Sequence, residues 1–263
     1  MKIISWNVNG IRAVERKNEL FPFLKTHDPD VFLMQEIKGS PDQFSPELRF
    51  HPHYAQYYFP AEKAGYSGTG IWVKKQDSIE IIEFMTGMPD YNDDEGRVSR
   101  VDIRWNNSTY AILGVYFPNG GKSEAAWDDK LVFYEKFLAY VNSIREQNIH
   151  CIWGGDVNCA HNEIDIARPE ENDGKIGFHP LERAWISKCI NHRWKDVFRE
   201  NNPYTRDIYS WWHLVTRARE RNVGWRIDYF FCDQNDIEDI DHIEYLMNQM
   251  GSDHCPVLLR LKA

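Results

Sequence analysis

A series of short apolar runs, at residues 2–6, 31–34, 109–116, 151–153, 227–232 and 257–261, limits what this chain can fold into. Each is too short for a helix that buries a face, and most lack strict polar alternation. They read as strands covered on both faces. Each run also ends in, or follows, polar residues that a buried strand does not need for folding. Asn7 and Asn9 follow the first, Glu36 the second, and Tyr116 with Asn119 the third. Asp156 and Asn158 follow the fourth, Asp228 lies in the fifth, and Asp253 with His254 precedes the sixth.

Between these runs the pattern changes period. Residues 18–26 carry Leu20, Phe21 and Leu24 on one side, with Pro22 in the first turn of a helix. Asp28-Pro29-Asp30 ends it. Ser123 suits an N-cap, and Trp127, Leu131, Tyr134, Leu138 and Val141 recur at helical spacing up to about residue 147. Residues 180–190 form a further helix. Residues 54–59, 70–74, 79–84, 98–105 and 240–246 read as strands, and 65–68 and 92–96 as loops. Strand–helix–strand order implies an α/β layered fold, with two sheets packed together and helices outside. No linker or low-complexity tract divides the chain, so residues 1–263 are expected to form a single domain.

The formal net charge of -9 argues against a protein that coats nucleic acid through a global positive field. It leaves room for a local basic rim around an acidic centre. The cysteines (Cys151, Cys159, Cys189, Cys232, Cys255) show no C-x-x-C spacing and read as reduced, buried side chains. No apolar run is long enough to span a bilayer. The expectation is a cytoplasmic monomer with no membrane partner.

The strand-end residues offer oxygen ligands without a Cys/His cluster. That chemistry selects Mg²⁺, Mn²⁺ or Ca²⁺ over Zn²⁺. Glu36 with Asn9 or Asp253 makes a sensible magnesium site. Asp156 is a candidate general base, Asn7 and Asn158 are candidate donors, and protonated His254 can meet charge growing on a phosphoryl group. His254 needs a carboxylate to fix its ring. Asp253 is adjacent, but neighbours on an extended segment point apart, so Asp228 is the better partner. Singly these residues have ordinary explanations, since Asn9-Gly10 suits a turn and Asp156 a strand-end cap. Strand end after strand end with the same kind of group does not.

In order along the chain stand Ser5-Trp6-Asn7-Val8-Asn9-Gly10-Ile11-Arg12-Ala13, Leu33-Met34-Gln35-Glu36-Ile37-Lys38, Tyr116-Phe117-Pro118-Asn119 and Gly155-Asp156-Val157-Asn158. Asn222-Val223-Gly224-Trp225-Arg226-Ile227-Asp228-Tyr229 and Gly251-Ser252-Asp253-His254-Cys255-Pro256 complete the set. Over nearly its whole length the chain resembles the exonuclease III family of apurinic/apyrimidinic (AP) endonucleases. The resemblance implies a four-layer α/β sandwich, two packed mixed β-sheets flanked by helices. It implies Mg²⁺-dependent cleavage 5′ to an abasic site in duplex DNA, with Mn²⁺ able to substitute. The products would be a 3′-hydroxyl and a 5′-deoxyribose phosphate, and 3′-phosphodiesterase and 3′→5′ exonuclease activities would accompany this one. By position, cation ligands come from Asn9, Glu36, Asp156, Asn158, Asp253 and His254. Catalysis falls to Asp156, His254, Asp228, Tyr116, Asn158 and Asn7. Some relatives carry Asp where Asn9 stands.

The resemblance also implies a pocket of Trp211, Trp225 and Ile227 for a bare sugar, which leaves the stack most cheaply where a base is missing. Trp225 and Ile227 share a face of an extended segment and Asp228 takes the other. One site can use all three only if the strand begins near Ile227 or twists there. Arg217, Arg219, Arg221 and Arg226 form a basic rim, joined by Arg12, Arg16, Lys17, Lys63 and Lys122. Tyr66, Asn119 and Asn222 are further expected DNA contacts, and Val215 stands where the family places a duplex wedge. Two rivals remain. One is a phosphoesterase of the same fold acting on an inositol phosphate or an RNA end. The other is a DNA-binding protein on a decayed nuclease scaffold.

Overall fold

In the computed structural model, which describes residues 1–262, the first half holds β1 (Lys2–Asn7), β2 (Val31–Gln35), β3 (Tyr54–Phe59), β4 (Thr69–Lys74), β5 (Ile79–Thr86), β6 (Val98–Trp105) and β7 (Ser108–Tyr116). The second half adds β8 (His150–Asp156), β9 (Trp194–Asp196), β10 (Trp211–Trp212), β11 (Gly224–Trp225), β12 (Asp228–Asp233), β13 (Ile240–Tyr245) and β14 (Val257–Leu261). Two six-stranded sheets result, ordered β13-β14-β1-β2-β4-β3 and β5-β6-β7-β8-β12-β9, with β10 and β11 a separate ribbon. Each sheet is mixed, because β1–β2 and β7–β8 are parallel while their other neighbours are antiparallel.

Side-chain parity builds the layers. Ile3, Ile112, Ile152, Phe230 and Cys232 meet in the core between the sheets. Their chain neighbours point the other way. Ile4 and Trp6 pack with Val14, Leu20 and Phe23, from the helices Ile11–Arg16 and Leu20–His27. Leu113, Trp153, Tyr229 and Phe231 pack with Phe133, Phe137, Trp185 and Ile186, from the helices Glu124–Arg145 and Pro180–Asn191. The order is therefore helix, sheet, sheet, helix, as the resemblance implies. Each fully buried side chain of this kind contributes about 1.5–3 kcal/mol.

The same parity places the chemistry. Counting by twos from the inner-face residues reaches Asn7, Tyr116, Asp156 and Asp228, each at one end of its strand. Register then sets them side by side. Asp156 pairs with Tyr116 across β7 and with Asp228 across β12, and Asn7 lies opposite Gln35, the neighbour of Glu36. Gly155 makes the β8 end possible. Its φ is +143°, and a Cβ there would lie 2.0 Å from the Val115 carbonyl oxygen.

The strand readings hold closely, and Ser123 caps its helix by accepting from the Ala126 N–H at 3.1 Å. The helix read at 18–26 begins at Leu20, because Asn18 sits at φ 58°. The helix Ile11–Arg16 has no counterpart in the sequence reading. It buries only Ile11 and Val14, too few to show a period.

Arg226 is corrected. It does not belong to a basic rim, because it is fully buried. Trp225 and Ile227 line a cavity, while Arg226 between them turns into the interior. Its Nε donates to Asp165 at 2.7 Å and its Nη2 to Asp196 at 2.6 Å. Burial disfavours the charge, but the two carboxylates outweigh it and hold the guanidinium protonated. Removing Arg226 leaves Asp196 buried without its cation, while Asp165 keeps Arg199. Arg226→Met should lower the unfolding free energy by about 3–5 kcal/mol in urea titration, and a loss below about 1 kcal/mol would contradict this role.

Candidate active site

One amide group joins the two sheets. Asn7, fully buried, donates through Nδ2 to Glu36 Oε1 at 2.9 Å and to Asp156 Oδ2 at 3.0 Å. Glu36 reaches this point from a strained turn, with Glu36 at φ 51° and Lys38 at φ 50°. Non-glycine residues held there cost on the order of 1 kcal/mol or more. Backbone bonds fix the turn, from Gly10 N to Glu36 O at 2.7 Å and from Lys38 N to Ser67 O at 3.0 Å.

The proton chemistry also spans both sheets, because Asp156 and Asp228 stand on the second and His254 leads into β14 of the first. His254 Nδ1 lies 2.8 Å from Asp228 Oδ2, and His254 Nε2 lies 3.8 Å from Asp156 Oδ2. Asp228, and not the adjacent Asp253, is thus the orienting carboxylate. Burial alone would lower the imidazole pKa, but Asp228 and Asp156 outweigh it and raise it to about 10. Burial raises the Asp156 carboxyl to about 7; His254 opposes this, while Asp228 and Glu36 add to it. Asp156 Oδ1 accepts the Asn158 N–H at 2.8 Å, which fixes the carboxylate at both oxygens. Burial, then Glu36 and Asp156, push the Tyr116 phenol well above its ordinary value, so it stays a neutral donor.

A cation position is apparent from the donors. Ligand atoms of Glu36, Asp156 and His254 lie within 4.8 Å of one another. The Lys38 ammonium already sits on Glu36 Oε2 at 2.8 Å and donates to Asn9 Oδ1. These hard oxygens hold positive charge, which fits a hard divalent cation. Lys38 had no assigned role from sequence, although it closes the Gln35-Glu36-Ile37-Lys38 run.

Two of the six residues read as ligands also make hydrogen bonds within the protein. Asp253 Oδ1 accepts from Asn9 Nδ2 at 2.8 Å and its Oδ2 from Trp211 Nε1 at 3.1 Å. It therefore stands behind Asn9 and aims that amide. Asn158 spends its side chain on the Phe117 carbonyl at 2.9 Å and on the Asn119 amide at 3.2 Å.

Beside this pit opens a cavity of about 630 Å³ whose walls include Tyr116, Asn158, Gly177, Trp211, Trp225 and Ile227. Trp211 and Trp225 are register partners in the ribbon, and their rings meet edge to face with centroids 6.0 Å apart. β11 ends at Trp225 and β12 begins at Asp228, so the chain breaks its extended run at Arg226 and Ile227. That break lets Trp225, Ile227 and Asp228 serve one site. Trp211 also bridges to His254, which ties the aromatic wall to the catalytic loop.

Residues 4–254 match the model of the endonuclease/exonuclease/phosphatase family. The exodeoxyribonuclease of Bacillus subtilis is 37% identical over 261 residues, covering 98% of each chain. The chain belongs to the endonuclease/exonuclease/phosphatase family. Within that family, the DNA repair nuclease APEX1 of Danio rerio is 32% identical, covering 99% of this chain and 82% of its own. An AP endonuclease from Leishmania major superposes with a TM-score of 0.88 at 26% identity, covering 100% of this chain and 87% of that one.

The rim around this family site is smaller than the sequence implies. Tyr66, Asn119 and Lys122 line the cavity, and Lys63 lies over the Tyr66 ring. Val215 is 86% exposed, and Arg217 is exposed beside it. Lys17 is exposed and donates to the Gly251 carbonyl at 2.6 Å, while half-buried Arg12 donates to the Lys38 carbonyl at 3.1 Å. Asn222 is corrected, because its amide is used internally. Its Oδ1 accepts from Trp212 at 3.0 Å and its Nδ2 donates to the Asp207 carbonyl at 2.9 Å. Arg219 likewise faces inward, donating to the carbonyls of Met247, Gln249 and Ser252.

The Asp228 contact carries a direct test. In metal-free protein, Asp228→Asn should lower the His254 titration midpoint from about 10 toward the ordinary value near 6.5, followed by imidazole NMR. An unchanged midpoint would contradict this electrostatic account.

Proposed function

We propose that this chain is a DNA repair nuclease that hydrolyses the phosphodiester 5′ to an abasic site in duplex DNA. One observation carries the reading: a buried Asp156–His254–Asp228 row opens onto a tryptophan-walled cavity at the same strand ends. A flat-sided apolar slot suits a sugar without a base, and the polar row beside it suits the phosphate that sugar carries.

Asp156 takes the proton from an attacking water, with a carboxyl held near neutrality. Asn7 and the Asn158 N–H orient that carboxylate. His254, kept charged by Asp228, donates toward the phosphoryl oxygens, and the neutral Tyr116 phenol donates beside it. Glu36 and Asn9 would hold the Mg²⁺ ion, with Mn²⁺ as a substitute, and Asp253 would aim Asn9. Such an ion supplies polarisation of the phosphoryl group and charge neutralisation. Trp211, Trp225 and Ile227 receive the extruded sugar. Lys122, Tyr66, Asn119 and Arg217 meet the backbone, and Val215 meets the gap in the stack. Hydrolysis leaves a 3′-hydroxyl and a 5′-deoxyribose phosphate. The same row can act on blocked or normal 3′ ends.

A duplex carrying one tetrahydrofuran residue tests this. With Mg²⁺ it should be cut once, 5′ to the analogue, and EDTA should abolish cutting. Asp156→Asn should still bind the duplex while kcat falls by about 10²–10⁴-fold. Uncut substrate in Mg²⁺ would remove the reading.

A further inference from the structure

Between the helices that cover the second sheet lies an ion pair that touches none of the reacting groups. Lys130, on Glu124–Arg145, and Glu182, on Pro180–Asn191, are both 0% exposed. Lys130 Nζ donates to Glu182 Oε1, and also to the backbone carbonyls of Asn119 at 3.2 Å and Asn158 at 3.1 Å. Glu182 Oε2 accepts the backbone N–H groups of Gly177 at 2.7 Å and His179 at 3.0 Å.

One buried pair thus ties down three chain segments. All three reach the cavity, through Asn119, Asn158 and Gly177. Two glycines allow the close fit. Gly177, at φ +86°, lies flush on the indole of Trp225, where a Cβ would come within 2.8 Å of Cζ3. Gly120, at φ +81°, packs on the Lys130 stem, where a Cβ would lie 3.0 Å from Cδ.

A buried ion pair adds little net stability, because desolvation of both charges offsets their attraction, and an apolar pair of like volume often does as well. An apolar pair could not supply a cation aimed at two carbonyls and a carboxylate aimed at two amides. Nor could the reversed pair, because each loop presents a fixed donor or acceptor.

We propose that Lys130 and Glu182 are positioning residues that set the width of the sugar pocket. They hold the Asn119, Asn158 and Gly177 walls against Trp225, and so decide how strongly a nucleotide that keeps its base is rejected. This rests on the abasic-site reading of the cavity.

The test compares wild type with the double variant Lys130→Met/Glu182→Leu and the reversed pair Lys130→Glu/Glu182→Lys. Two quantities are read. One is the ratio of kcat/KM on a tetrahydrofuran duplex to that on an intact duplex. The other is amide exchange over residues 119–122 and 175–179. The double variant should remain folded, exchange faster in those two segments, and lose selectivity by about tenfold or more, since misplacement near 1 Å can cost about 10²-fold. The reversed pair should not restore selectivity. Should neither variant fold, Gly177→Ala moves the same wall directly and should lower selectivity alone. Retained selectivity in any of the three variants overturns the proposal, and so does unchanged exchange in the double variant. A wild-type protein that leaves the tetrahydrofuran duplex uncut overturns the substrate reading instead, and exchange still decides the tethering.

Discussion

Two carboxylates from different sheets, Glu36 and Asp156, share the N–H donors of a single buried amide, Asn7. Like charges this close would repel without a donor between them and a cation near them. The rest of the site depends on that junction. It ties the two sheets together at these strand ends, and Glu36 meets the Lys38 ammonium with its other oxygen. Asp156 then faces His254 across the same gap. The geometry is a consequence of strand parity, because Asn7, Tyr116, Asp156 and Asp228 all occupy inner-face positions beyond the last apolar layer.

Much of this was legible in the sequence. Apolar runs that end in Asn, Glu, Asp or His marked the strands and the site together, because a buried strand has no folding reason to end so. Parity also separated Asp228 from Asp253 as the partner of His254. What parity could not supply was where a strand starts. Trp225 and Asp228 meet the same site only because β11 and β12 are separate strands.

The misreadings share one physical cause. A run such as Arg217 to Arg226 looks like a basic face when charge is counted without direction. In the fold, Arg226 turns inward to Asp165 and Asp196, and Arg219 turns inward to loop carbonyls. The oxygen type of Asp253 and Asn158 is visible in sequence, whereas their hydrogen bonds with Asn9, Trp211, Phe117 and Asn119 are not. Short elements went unseen for a related reason. The helix Ile11–Arg16 and the ribbon β10–β11 gain their stability from neighbours and not from a periodic apolar face.

The central claim is that strand ends from both sheets converge on one cation position bordered by Glu36, Asp156 and His254. A second acidic cluster, His150 with Asp236 and Asp239, lies elsewhere on the molecule and serves as an internal control. Mn²⁺ titrated at substoichiometric amounts into the free protein, with the histidine ring signals followed by NMR, distinguishes the two. The account predicts that the His254 resonances broaden first while those of His150 persist. Broadening of His150 first, or a His254 signal untouched by the ion, would contradict it.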